Sequence, residues 1–153
     1  MKPKIIYLDY NCFQRGFDDQ SQLRIRMEAL ACDGLFASAE AGDVEIVWSF
    51  MHEDENALCP YPDRQIEVLR LSEICKIVIG PDSVIKRRAI ELNEGFGVSP
   101  KDALHLAAAE KASSEYFLTC DDGITAKAER LPLGFAIMNP ASYTLNERND
   151  DED

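Results

Sequence analysis

Short apolar runs alternate along this chain with longer segments of helical periodicity. Five β-prone runs are predicted to be strands, at residues 5–8, 44–48, 75–79, 116–119 and 135–138. The first is apolar on both faces, which is typical of a strand buried in a parallel sheet between helices. Successive strands are separated by about a dozen or more residues, which is enough for helical crossovers. The pattern predicts an α/β fold: a three-layer α/β/α sandwich around a central parallel sheet of four to five strands.

The segments between these runs carry helix signals. Leu23, Met27, Leu30 and Ala31 follow the spacing of one helix face, so we expect an amphipathic helix that reaches to about Gly42 and buries this face. Further helices are predicted over residues 50–58, 65–72 and 85–95, from residue 100 onwards, and over residues 124–130. These helices would cover both faces of the sheet.

The length of 153 residues suits a single domain, which we place at residues 1–145. The acidic segment 146–153 that follows is predicted to be a disordered tail. No apolar run approaches the roughly 20 residues that a membrane span needs. The first apolar stretch is also too short for a signal peptide, so a cytoplasmic protein is expected.

The net charge of −12 weighs against general nucleic-acid binding, because such proteins carry a basic surface. Three explanations stay open: an acidic tail, a cluster of carboxylates that a bound metal neutralises, or a basic partner protein. The five cysteines form no C-x-x-C pair, and there are only two histidines, so a zinc site is not expected. Reduced, mostly buried thiols are the simpler interpretation.

Acidic residues stand where predicted strands end and predicted helices begin. Asp9 and Asp121 follow strands, whereas Asp102 and the Glu53-Asp-Glu55 run lie near helix starts. In open parallel sheets the functional crevice lies beyond the carboxyl ends of the strands, so these acids can converge there. Carboxylate oxygens are the ligands that Mg²⁺ and Mn²⁺ prefer, and such ions can promote phosphodiester hydrolysis.

Each acid also has a purely structural explanation. Ser99 and Asp102 could form a capping box around Pro100 at the first helical position. Asp9 could begin a turn, the Glu53-Asp-Glu55 run could be a solvated helix face, and Asp121-Asp-Gly123 is itself a turn signal. Position alone does not decide between these explanations and a metal site.

Four motifs, taken together, resemble a known family. They are Leu8-Asp-Tyr-Asn11, Trp48-Ser-Phe-Met-His-Glu-Asp-Glu55, Lys101-Asp-Ala-Leu-His-Leu-Ala-Ala108 and Leu118-Thr-Cys-Asp121. In order and spacing they resemble the successive motifs of the PIN domain, the nuclease fold of the VapC-type toxins of toxin–antitoxin pairs. The resemblance extends from residue 4 to about residue 140, and the third motif is its most specific part.

The resemblance implies a set of catalytic and metal-binding residues: Asp9, Glu55, Asp102 and Asp121, with Glu53 and Asp122 as alternates. Asn11 and Thr119 would support this site. The implied activity is an endoribonuclease that uses Mg²⁺ or Mn²⁺ to hydrolyse RNA phosphodiester bonds, leaving 5′-phosphate and 3′-hydroxyl ends. The metal would activate the attacking water, so no histidine base is required.

The resemblance also suggests partners. RNA would be contacted by Arg15 and Lys101, a cognate antitoxin would inhibit the enzyme, and a homodimer is compatible with the family. His105, one helical turn after Asp102, is more simply explained as a packing residue. Two alternatives stay open: an inactive PIN-fold binding module, and a haloacid-dehalogenase-like phosphatase with Asp9 as nucleophile. The phosphatase is less favoured, because its Asp-x-Asp motif would need an acid where Asn11 stands.

Overall fold

The computed structural model describes the backbone of residues 2–152 and the side chains of residues 2–148. Five strands form one parallel sheet: Lys4–Leu8 (β1), Val44–Ser49 (β2), Ile77–Ile79 (β3), Tyr116–Leu118 (β4) and Ala136–Met138 (β5). Their order across the sheet is β3-β2-β1-β4-β5. The predicted α/β/α fold with a parallel central sheet is confirmed.

Within residues 2–152 the helices are Tyr10–Gln14 (α1), Leu23–Glu40 (α2), Phe50–Ala57 (α3), Pro62–Ser72 (α4), Ser83–Phe96 (α5), Pro100–Lys111 (α6), Asp122–Thr125 (α7) and Pro140–Glu152 (α8). Helix α1 was not predicted, because it is a short helix directly after a strand. Helix α4 begins earlier than expected, with Pro62 in its first turn, where proline is tolerated. Helix α5 ends at Gly97, whose φ of 69° favours glycine.

The sheet separates two hydrophobic cores, because successive side chains of a strand point to opposite faces. On β1, Ile6 and Leu8 enter one core, which α1, α2, α4 and α8 cover. Tyr7 enters the other core, which α5, α6 and α7 cover. All five cysteines are free thiols, as expected. No helix of the described chain is long and apolar enough to cross a membrane.

The predicted buried face of α2 is right for Ala31, which is buried, but wrong for Leu23, Met27 and Leu30, which are exposed. Leu23 is 62% exposed and Leu30 is 64% exposed, whereas Glu28 is buried at 1% exposure. The apolar part of the buried face comprises Ala29, Ala31, Cys32, Leu35, Phe36 and Ala39. Glu28 can be buried because distant groups pair with it: Arg15 lies 2.7 Å away, and Asn139 donates a hydrogen bond. A pattern of apolar spacing cannot detect such partners.

The carboxyl-terminal segment is helical where disorder was expected. Helix α8 continues through residues 146–152, and Asp153 lies outside the described residues. Tyr143 is buried against the ring of Tyr116, with centroids 4.9 Å apart, and Lys4 pairs with Glu147 at 2.8 Å. These contacts fasten the helix to the start of β1 and to β4.

The strand order creates a crevice beside β1. From β1 the chain first moves to β2 on one side, and it later returns to β4 on the other side. The loops that follow β1 and β4 therefore diverge, and such a switch point is where ligands bind in open α/β sheets. The backbone N–H of Asp9 donates to the carbonyl of Leu118 at 2.8 Å, which joins the ends of the two strands.

Candidate active site

Asp9 lies at the centre of this crevice, where β1 ends and α1 begins. Its carboxylate is 6% exposed and accepts hydrogen bonds from the backbone N–H of Tyr10 and the hydroxyl of Thr119, both at 2.8 Å. Burial raises the pKa of Asp9, while nearby His105 and the Thr119 hydrogen bond act in the opposite direction. Among the described residues, Asp9 has no ion pair with a lysine or arginine.

Thr119 and Asn11 link Asp9 to the loop after β4. The hydroxyl oxygen of Thr119 accepts from the backbone N–H of Asp121 at 3.0 Å. The amide of Asn11 donates to Thr119 at 3.3 Å, and its oxygen accepts from the backbone N–H of Cys120 at 3.2 Å. The two residues expected to support the site thus contact both neighbouring strand ends.

Asp121 caps the short helix α7, whereas Asp122 faces elsewhere. The carboxylate of Asp121 accepts from the backbone N–H of Gly123 at 2.8 Å and lines the crevice. Asp122 is 75% exposed and forms a bidentate pair with Arg24 of α2, at 2.7 and 2.8 Å. Of this doubled acid, Asp121 is the one that lies at the crevice.

Glu55 enters the crevice from α3. One of its oxygens lies 2.5 Å from Nε2 of His105, and the other lies 3.4 Å from the ammonium of Lys101. Glu53, two residues earlier, accepts a hydrogen bond from the indole N–H of Trp48 at 2.7 Å. The helix thus places Glu55, and not Glu53, among the residues that line the crevice.

Asp102 lies in the first turn of α6, beside the crevice. Ser99 caps this helix, since its hydroxyl oxygen accepts from the backbone N–H of Asp102 at 3.2 Å. Within the described part of the chain, no bond returns from the Ser99 backbone to the Asp102 carboxylate, so the full capping box is not formed. Asp102 lines an adjoining cavity of about 210 Å³ together with Gly123 and Lys127.

The structure thus brings three of the four predicted acids, Asp9, Glu55 and Asp121, to one cleft of about 240 Å³. Within residues 2–148, no three His, Cys, Asp or Glu side chains are grouped closely enough to hold a metal ion as they stand. The chemistry of the donors still fits a hard cation, because all are carboxylates. A buried carboxylate that pairs with no lysine or arginine of the described chain, as Asp9 is, also favours a bound cation.

A family model decides what kind of domain this is. The model of the PIN domain matches residues 6–130. The chain belongs to the PIN domain family. The resemblance of its motifs is therefore confirmed, and PIN domains are generally nucleases. No curated protein matches the chain significantly.

Two solved structures share the fold of this PIN domain. FitAcB from Neisseria gonorrhoeae is 18% identical, with a TM-score of 0.58, and the alignment covers 88% of this chain and 97% of that one. VapBC2 from Rickettsia felis, bound to a DNA fragment from their promoter, is 14% identical with a TM-score of 0.58, covering 88% and 98%. At this identity the likeness shows the fold.

The two basic residues predicted to contact RNA differ in this PIN domain. Lys101 has a side chain that is 62% exposed, and it lines the cleft. Arg15 is directed away, because its guanidinium bonds to Glu28 at 2.7 Å and to Asp18 at 3.0 Å. Of this pair, Lys101 is the one that lines the cleft, where its ammonium lies 3.4 Å from Glu55.

The positions of the two histidines beside the cleft were not predicted from the sequence. His105 is fully buried, bonds to Glu55 and lies 3.9 Å from the nearer oxygen of Asp9. His52 is also fully buried, and desolvation lowers its pKa to about 3. The position of His105, three residues after Asp102 on α6, was a signal, but its partner Glu55 is on another helix.

Proposed function

We propose that this PIN domain is a metal-dependent endoribonuclease and the toxin of a type II toxin–antitoxin pair. The observation that carries the proposal is the convergence of Asp9, Glu55 and Asp121 at one cleft, at the switch point of the sheet. The three come from the ends of β1 and β4 and from α3. Membership in a family of nucleases gives this convergence its chemical meaning.

Asp9, Glu55, Asp102 and Asp121 would hold Mg²⁺ or Mn²⁺. When bound, such an ion activates water and stabilises the charge of a phosphodiester under attack. The residues of the chain prepare the donors. Thr119 and the α1 backbone fix Asp9, and the Gly123 N–H fixes Asp121. Asp102 extends the donor set from the adjoining cavity.

RNA would approach from the side of Lys101. Its ammonium is exposed, and it stands between the acid cluster and solvent, 3.4 Å from Glu55. A phosphate that enters the cleft could form an ion pair with this ammonium in place of Glu55. With a net charge of −12, the domain depends on a metal and on few basic groups to attract an anionic substrate.

Two observations support the proposal of an antitoxin partner: the structural neighbours and the charge. Both structural neighbours are toxin–antitoxin proteins. An inhibitor with basic side chains would complement an acidic cleft in a protein of net charge −12. A homodimer stays a prediction of the family resemblance, and a cytoplasmic location stays a prediction from the short apolar runs of the sequence.

The test is RNA cleavage by purified protein with Mg²⁺ or Mn²⁺, and its loss on chelation. Asp9→Asn and Asp102→Asn should each reduce the rate by at least about 100-fold, because each removes a charged donor. Glu55→Gln should do the same, whereas Glu53→Gln, an equal charge change on the same helix, should leave the rate within about twofold. Cleavage that survives Asp9→Asn and Asp102→Asn would refute the assignment.

The alternative is a PIN-fold module that binds without cutting. Two observations favour it. In the described chain the acids are not grouped closely enough to form a metal site as they stand. Glu55 is also already bonded to His105 and paired with Lys101. Mn²⁺ binding measured by calorimetry separates the two functions. If the wild-type protein does not bind Mn²⁺ and does not cleave RNA, the result favours the binding module.

A further inference from the structure

A buried hydrogen-bond network stands behind Glu55 and crosses the sheet. Five residues form it: Glu55, His105, Tyr7, Ser49 and His52. The His105 ring joins Glu55 through Nε2 at 2.5 Å and the Tyr7 hydroxyl through Nδ1 at 2.6 Å. Tyr7 in turn contacts the Ser49 hydroxyl at 2.7 Å. The network joins α3, α6, β1 and β2.

The direction of these bonds can be worked out from the backbone. The N–H of Ser49 donates to Nδ1 of His52 at 2.9 Å, so His52 carries its proton on Nε2 and donates to the carbonyl of Leu8 at 2.6 Å. Ser49 can then donate to Tyr7, and Tyr7 to Nδ1 of His105. With that tautomer, Nε2–H of His105 donates to Glu55, and every member has a partner.

Packing alone does not require this network. Tyr7, Ser49, His52 and His105 are each between 0% and 1% exposed. The Tyr7 ring stacks on Phe117, with centroids 5.2 Å apart, and a phenylalanine could make that contact equally well. Burying several polar groups costs free energy unless all of them are satisfied, and a core of the same shape could do without them. Of the five residues in the network, Glu55 is the one whose carboxylate lines the cleft.

We propose that His105 is a positioning residue for Glu55, and that Tyr7 fixes the ring of His105. The Nε2–H group holds one Glu55 oxygen, which directs the second oxygen into the cleft shared with Asp9. Donors held in this way bind metals more tightly than freely rotating ones. This inference rests on the proposed function in one respect only, the assignment of Glu55 as a metal ligand.

Tyr7→Phe is the sharpest test, because it removes one hydroxyl and keeps the stacked ring. Tyr143→Phe is its matched control, a buried tyrosine at the opposite end of β1, on α8. Calorimetric titration should show Mn²⁺ affinity about 10-fold lower in Tyr7→Phe and unchanged in Tyr143→Phe. The kcat at fixed Mn²⁺ should fall by a similar factor, saturating Mn²⁺ should restore it, and KM for RNA should stay within about twofold.

A second pair of variants tests His105 directly. His105→Gln keeps an N–H donor at the position of Nε2 and should retain part of the Mn²⁺ affinity, whereas His105→Leu should lose at least about 10-fold. Thermal melts and circular dichroism of both proteins establish that they fold. If His105→Leu is unfolded, the comparison of Tyr7→Phe with Tyr143→Phe still decides the question.

A measurement without metal or RNA separates this inference from the proposed function. In the metal-free protein, the Nε2–H proton of His105 should be visible by NMR as a slowly exchanging signal, and Glu55→Leu, which removes the acceptor, should make it exchange faster. Unchanged exchange of this proton in Glu55→Leu, or equal Mn²⁺ affinity in Tyr7→Phe and Tyr143→Phe, would overturn the positioning role. Absence of RNA cleavage by the wild type, with the NMR signal present, would instead overturn only the proposed function.

Discussion

The two sides of the cleft are built in different ways. On the β4 side, which comprises Asp9, Asn11, Thr119 and Asp121, neutral donors at two adjacent strand ends hold the carboxylates. On the α3 side, Glu55 is held by a network that joins α3, α6, β1 and β2. Parallel strand pairing alone brings the β4 side together. The α3 side needs the two helices and the sheet to be in place at once.

The difference should appear first in the response to acid. His52, on the α3 side, has a pKa of about 3 in the fold against 6.5 for the free side chain. Below pH 6.5, His52 therefore binds a proton in the unfolded chain but not in the folded chain, so the free energy of unfolding falls. Between pH 7 and pH 5, we expect the free energy of unfolding to fall by about 2 kcal/mol less in His52→Gln than in the wild type.

Urea denaturation at several pH values measures this effect. Carboxyl groups with ordinary pKa values titrate mostly below this window, so they affect both proteins equally. Parallel stability curves for His52→Gln and the wild type between pH 7 and pH 5 would show that His52 is not held neutral by the fold.

Thr119 tests the β4 side by a local change. Thr119→Ala should destabilise the protein by about 1–2 kcal/mol, because Asp9 and the Asp121 backbone both lose a buried partner. Thr119→Ser keeps the hydroxyl and should recover most of the loss. Chemical denaturation at pH 7 provides the measurement, and equal stabilities of the Ala and Ser variants would contradict the hydrogen-bonding role.

Asp9 should show the cost of a buried charge. Burial raises its pKa, so a cost to folding develops as the pH rises from the unfolded pKa to the folded pKa, is complete above the folded pKa, and disappears below the unfolded pKa. Asp9→Asn should therefore raise the free energy of unfolding of the metal-free protein at pH 7, because it removes the buried charge. The gain should shrink towards pH 3. If melting curves show no gain in stability for Asp9→Asn at pH 7, the charge of Asp9 does not oppose folding.

The smallest expected effect is that of Arg24. Its pairs with Asp122 and Glu28 fasten the loop after β4 to α2, but the Arg24 and Asp122 side chains are 53% and 75% exposed. Exposed pairs contribute little, so Arg24→Gln should cost less than about 1 kcal/mol. A larger loss in a thermal melt would show that α2 stabilises the β4 side more than the strand contacts do.

Short-range sequence patterns predicted the strand-end acids of the β4 side. The hydrogen bonds of the α3 side join residues far apart in the sequence, so such patterns could not predict them. Asp9 and Asp121 could be placed because a buried strand followed by an acid is visible within ten residues of sequence. His105 could not be placed, since its partners Tyr7 and Glu55 lie 98 and 50 residues away. The buried face of α2 was missed for the same reason, because Asn139 lies 111 residues from Glu28.

The position of β4 late in the chain has a consequence for protein synthesis. Thr119 contacts Asp9 across 110 residues, and Asp121 follows two residues later. A nascent chain that has not yet released this segment from the ribosome has β1 and Asp9 but only half of the cleft. The cleft is therefore complete only after the chain up to Asp121 has left the ribosome.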